Sequence, residues 1–171
     1  MKINQIKVLI FFAAFSLVAI SMNAQKFGYL NSALLLSELP EVKAADSDLE
    51  AYQKQLVTSG ESMVKTFEEK YQRYVQEANE GVLSQVQMQQ KEAELGQEQQ
   101  KIQQYEVEVQ QKILQKREEL YQPILDKVKV ALEAIGNEQG YTMIFDASGG
   151  VLLHAKESED VMPLVKAKLG L

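Results

Sequence analysis

The sequence predicts a predominantly helical α+β chain, in which a long antiparallel coiled-coil hairpin of helices stands on a small β-sheet body. Three observations carry that expectation. Residues 41–138 hold one Pro and four Gly among many Glu, Lys, Gln, Leu and Ala, which are good helix formers. Apolar residues recur through that stretch in steps of three and four, the period of a helix face. Short aromatic and β-branched runs stand on either side of it, at 26–31 and 141–154, and those read as strands.

The first 24 residues read as an address. Lys2 and Lys7 give a positive start, and Val8 to Ile20 follows as thirteen residues in which only Ser16 is polar. Ser21-Met22-Asn23-Ala24 then closes on a small residue. This is the pattern of a cleavable secretory signal peptide, with Ala24 the last residue removed. Thirteen apolar residues fall short of the ~20 needed to span a bilayer. No Cys follows the apolar core, so a lipoprotein anchor is not expected. Cleavage leaves 16 Lys+Arg against 24 Asp+Glu, a net charge of 16 − 24 = −8.

Composition excludes several classes. The whole chain has 171 residues and a net charge of −6, against the cationic surface that nucleic-acid binding needs. With no Cys and one His, thiol catalysis, disulfides and multi-His metal sites are excluded. The chain is read as non-enzymatic, with no cofactor and no resident metal.

The hairpin is expected over 41–138. Val42, Ala45, Leu49, Tyr52, Leu56, Ser59 and Met63 form a heptad seam. Phe67, Tyr71, Tyr74, Ala78 and Val82 continue it with an eleven-residue spacing, which unwinds a left-handed supercoil. A second run comprises Ile102, Tyr105, Val109, Ile113, Leu120, Ile124, Val128, Ala131 and Ile135. Asn79-Glu80-Gly81 breaks the pattern between them, which places the hairpin tip near 79–84. Folding there sets Met63 against Ile102, Leu56 against Val109 and Ala45 against Leu120, apolar on apolar. Glu50/Lys54, Glu61/Lys65 and Glu69/Arg73 read as outer-face pairs. Eleven Gln in residues 84–111 read as a solvated helix, and Pro123 as a kink.

The body is expected from 25–40 and 139–171. Residues 26–31 form one strand, and Ser32 to Leu39 a short helix stopped by Pro40. Asn137 and Gly140 close the long helix. Tyr141 to Asp146 and Val151 to His154 form two further strands, and Ser158 caps a helix from Glu159 to Leu169. So small a body with open sheet edges calls for oligomerisation. Phe27, Tyr29, Leu30, Ile144, Phe145, Val151 and Leu153 are the candidate interface residues.

Individual polar residues carry little chemistry. His154 reads as structural and Asp146 as a turn residue. Ser148-Gly149-Gly150 is no phosphate loop, because no Gly-Lys-Ser/Thr follows. Glu68/Glu69 and Glu118/Glu119 read as solvated faces. The sharpest binding candidate is the stripe Phe67, Tyr71 and Tyr74, placed opposite a polar stretch of the return helix.

The opening strand with "LNSALLLSELPEVKAA" and the ending "YTMIFDASGGVLLHAKESEDVMPLVKAKL" together resemble the Skp/OmpH family of periplasmic chaperones, over the whole of residues 25–171. The resemblance implies a jellyfish-like homotrimer, a β-sheet body with three helical arms around a cavity. It further implies a periplasmic holdase that binds unfolded outer-membrane proteins without nucleotide, with at most peripheral membrane contact. A structural coiled-coil spacer of the cell envelope is the competing reading. One departure stands out. Residues 61–111 hold five Lys+Arg against ten Asp+Glu, where the resemblance would imply basic arms. Capture of clients is therefore expected to be apolar, and no basic lipid-binding site is assigned.

Overall fold

Strand β1 (Lys26–Leu30) leads into a short helix α1 (Ser32–Glu38) and then a 40-residue helix α2 (Pro40–Asn79). A 55-residue helix α3 (Gln85–Gln139), strand β2 (Tyr141–Asp146) and a last helix α4 (Met162–Leu169) complete the chain. The computed structural model describes residues 25–171, and the leader expected at 1–24 lies outside them. The molecule is mostly helical with a small two-stranded sheet. Among the described residues no helix is long and apolar enough to cross a membrane.

The long helices run side by side in opposite directions. Glu41 meets Lys127, Asp46 meets Tyr121, Leu56 meets Tyr105, Lys70 meets Glu98 and Glu77 meets Lys91. Partner numbers fall along α3 as they rise along α2. Residues 80–84 make the turn, with Gly81 at a positive φ of 68° that an L side chain rarely adopts. Ser84 then starts α3 with a capping box, its hydroxyl accepting from the Gln87 backbone while the Gln87 side chain accepts from Ser84. At the far end Gly140, at φ 69°, caps α3 in the left-handed conformation.

That excursion of about 110 residues explains the sheet. β1 and β2 pair in parallel, Phe27 beside Met143 and Tyr29 beside Phe145. Parallel strands cannot be joined by a tight turn and need a crossover, and here the helical arm is that crossover. The pairing continues past the strands, where the Ala147 N–H donates to the Leu30 carbonyl at 2.8 Å. On the other edge of β1 the Val161 N–H donates to the Tyr29 carbonyl at 2.9 Å, beside a single bridge to Asp160. β1 is thus occupied on both edges, whereas among the described residues β2 pairs only with β1.

The core lies between the sheet and the bases of the long helices. Leu30, Leu35, Leu39, Val42, Ala45, Ile124, Val128, Ile135, Val161, Met162 and Val165 form one buried cluster. Asn31 caps α1 by accepting from the Leu34 N–H, which orients Leu35 inward.

Several expectations are corrected. Val151 to His154 forms no strand, because no strand edge among the described residues pairs with it. The last helix begins at Met162 instead of Glu159, and Ser158 does not cap it. Residues 157–159 form one turn of 3₁₀ helix, and the Asp160 carboxylate accepts from the Met162 N–H. Pro40 opens α2 at its first turn, where its missing N–H costs nothing. α3 continues on both sides of Pro123, the position of the expected kink. On the outer face Lys65 lies 4.0 Å from Glu69 in place of the expected pairing with Glu61.

Candidate functional site

Burial divides the helix pair into two zones. Near the body, Val42, Ala45, Leu49 and Leu56 of α2 are buried, with Ile124, Val128, Ala131 and Ile135 of α3. From Val57 to Pro123 no residue is buried. The boundary is marked by Tyr105, whose hydroxyl donates to the Leu56 carbonyl at 2.9 Å. Its ring lies against Gly60, where a Cβ would stand 3.3 Å from the ring edge.

Beyond that point the seam is half-buried and mixed, with Met63, Phe67, Leu95 and Ile102 partly covered beside polar pairs. Lys70 pairs with Glu98, Lys91 with Glu77 at 2.6 Å, and the Tyr74 hydroxyl donates to Glu92. The Glu92 hydrogen bond holds the Tyr74 phenol above its usual pKa range. Two cavities interrupt the seam. One of about 240 Å³ is lined by Ser62, Met63, Thr66, Glu98, Lys101 and Ile102. The other, of about 180 Å³, lies among Lys70, Arg73, Tyr74, Lys91, Leu95 and their neighbours.

The aromatic stripe is split by this geometry. Tyr71 is 51% exposed, and the half-buried Phe67 stacks on it with ring centroids 6.2 Å apart. Tyr74 is half-buried and turned toward α3. The open apolar surface therefore continues along α2 through other residues. Val57, Val64 and Tyr71 recur every seven residues on one flank, all exposed, and Val75 follows four residues on. The seven-residue spacing of Val57 and Val64 was present in the sequence, one position off the seam. On α3, Val107 and Leu114 are likewise exposed and seven residues apart.

The body offers a second surface. Alternation along the strands turns Gly28 and Leu30 inward and leaves Phe27, Met143 and Phe145 exposed on the opposite face. Phe27 and Phe145 approach to 6.1 Å between ring centroids. Leu30, 3% exposed, belongs to the core of its own chain and is removed from the interface candidates. Tyr29 and Ile144 are half-buried. Val151 and Leu153 are 85% and 95% exposed. Along the unpaired edge of β2 a groove of about 450 Å³ runs between Thr142, Met143 and Ile144 and the α3 residues Leu132, Glu133 and Gly136.

Two carboxylates have displaced titrations. Lys127, by donating a hydrogen bond, holds Glu41 below the usual range. Hydrogen bonds from Ser32 and Ser148 lower Asp146 to about 2. Its ordinary value is 3.8, so Asp146 stabilises the fold at pH above about 4 and loses that contribution as pH falls through about 2. Melting temperatures of the wild type and of Asp146→Asn should therefore differ at pH 5 and converge toward pH 2. A gap that stays constant over that interval would show that the ionised carboxylate contributes nothing.

Among curated proteins none matches the sequence. Among solved structures, the fold is similar to that of a protein from Caulobacter crescentus CB15 proposed as an OmpH-like outer membrane chaperone. The TM-score is 0.71 at 14% identity, over 85% of this chain and 84% of that one. The model of the family described as "Outer membrane protein (OmpH-like)" matches residues 26–169, nearly all of the described chain. With strand, helical arm and closing strand all inside that match, the chain belongs to the OmpH-like family.

Proposed function

We propose that this chain is an ATP-independent holdase of the periplasm that keeps unfolded outer-membrane proteins from aggregating. Residues 1–24 direct its export and are removed. Residues 25–40 with 139–171 form the assembly body, and 41–138 form the arm. Three copies join through the apolar sheet face and the 151–154 segment; the number three comes from the family resemblance. The observation that carries the reading is the exposed apolar flank Val57, Val64, Tyr71 and Val75, extended by Phe67, on a helix whose solvent faces are otherwise mostly polar or charged. Contiguous exposed apolar surface marks binding, and aromatic side chains offer much contact area with few rotatable bonds. A flank that binds through apolar contact suits unfolded chains of many sequences, because such contact reads little of the sequence it covers.

The test is dilution of a urea-unfolded β-barrel membrane protein into buffer with stoichiometric amounts of this protein, read by light scattering at low and moderate salt. Suppressed scattering at both salt concentrations is expected, since exposed charge attraction is screened beyond about 8–10 Å while apolar contact is not. The double variant Phe67→Ser/Tyr71→Ser should lose much of the protection while keeping wild-type helicity by circular dichroism. Unchanged scattering with the wild type would identify an envelope spacer instead.

A further inference from the structure

One carboxylate ties the two ends of the described chain together. Asp146 Oδ1 accepts from the backbone N–H of Ser32 at 3.1 Å and of Ser148 at 2.9 Å. Its Oδ2 accepts from the Ser32 hydroxyl at 2.6 Å and the Ser148 hydroxyl at 2.9 Å. A carboxylate has about four acceptor sites, so this one is fully used. Ser32 opens α1, 114 residues before Asp146. Ser148 belongs to the turn Ala147–Gly150, closed by the Gly150 N–H on the Ala147 carbonyl and by Gly150 at φ 68°.

That turn decides where the chain goes next. After the Ala147 N–H bonds Leu30, the chain leaves the sheet, and its next main-chain tie to β1 is at Asp160 and Val161. No residue of the intervening stretch is buried, and it carries the most exposed apolar side chains of the body, Val151 and Leu153. Val151-Leu152-Leu153 has strand character without a strand partner among the described residues, where β2 likewise has an unpaired edge beside a groove. Asp146 itself is exposed and stands outside the buried cluster. Its four bonds fix a direction and add nothing to the apolar core.

We propose that Asp146 is a positioning residue for self-assembly: by clamping the Ala147–Gly150 turn to the start of α1, it aims the Val151–Leu153 segment at a second copy of this chain. The inference rests on the oligomeric reading above. It assigns to the Asp-Ala-Ser-Gly-Gly turn a role in presenting an edge that the neighbouring copy completes. The Asp146 ring of bonds has a neutral equivalent. In Asp146→Asn, Oδ1 still accepts from both backbone N–H groups, and the amide nitrogen donates to both hydroxyls, which accept as readily as they donate. In Asp146→Ala all four bonds are lost.

The experiment compares wild type, Asp146→Asn and Asp146→Ala as purified proteins. Light scattering across a concentration series reads assembly, chymotrypsin cleavage within 151–154 reads the segment, and circular dichroism reads the helices. For Asp146→Ala, the concentration needed for assembly should rise about tenfold or more and cleavage should quicken, with helicity unchanged. Asp146→Asn, which keeps the four bonds but loses the charge, should restore both at temperatures below its own lower melting point. Asp146→Ala that assembles like an oligomeric wild type overturns the proposal alone. Asp146→Ala that loses helicity at concentrations where wild type is also dissociated overturns it in favour of a purely structural role. A wild type that stays monomeric at every concentration overturns the oligomeric reading and the proposal with it, and its own mass distinguishes that outcome from the other two.

Discussion

Leu35→Ala is expected to cost about 2–5 kcal/mol of folding stability, the range for emptying a fully buried leucine site. Leu35 has no exposed surface and is the only buried residue of α1. The largest other fully buried side chains among the described residues are Leu39, just before α2, and Val161 and Val165, just before and within α4, so the truncation loosens the place where both ends of the described chain converge. Small domains hold only about 5–15 kcal/mol in total, and a core this limited has little with which to refill the void. Chemical denaturation should show a midpoint well below wild type. A loss under about 1 kcal/mol would mean that the body collapses onto the gap and that Leu35 is not central to it.

Gly28→Val should be as damaging for the opposite reason. A Cβ at residue 28 would stand 2.8 Å from Val161 Cγ1 and 2.9 Å from Tyr141 Cε1, closer than packed carbon atoms tolerate. Val161 cannot simply move aside, because its branched side chain has no exposed surface and belongs to the buried cluster. β1 must part from β2 or from the chain entering α4, at a cost of about 1–3 kcal/mol or more. Gly96→Ala is the control. Nothing lies within 4 Å of its position on α3, so it should gain roughly 0.5–1 kcal/mol by helix propensity. Thermal melts should move in opposite directions for the two variants. Equal shifts would show that the close approach at Gly28 carries no constraint.

The helices were legible because their signal is repeated many times. Val42, Ala45, Leu49 and Leu56 stand at seam spacing and are buried, and one irregular residue among them changes nothing. Tyr71 stands at the same kind of spacing and is exposed. Which flank a residue takes beyond Leu56 depends on the rotation of one helix against the other, and no local pattern encodes that. Val151 to His154 looked like a strand by residue type, yet strand formation needs a partner edge, which is a property of the assembled fold. The inward turn of Leu30 follows from simple alternation with Phe27 and Tyr29, so it could have been read in advance. The grip of Asp146 on Ser32 could not. Residue type announced a turn, but the bond spans 114 positions and exists only once the parallel sheet has formed.

The Tyr105 hydroxyl on the Leu56 carbonyl has a mechanical meaning. It stands where a buried root gives way to a half-buried blade, whose ion pairs slide and re-form at little cost in water. From Leu56 to Asn79 the blade is about 35 Å long at 1.5 Å per residue. A pivot of about 10° at its root sweeps the tip through about 6 Å, while residues near the pivot barely move. Tyr71 and Val75 ride on the far part of that radius, whereas Val57 stays close to the axis. If the flank carries clients as proposed, small rotations would displace the outermost contacts most and the innermost least. The position of one tyrosine would grade the arm from a firm grip at the root to a yielding one at the tip.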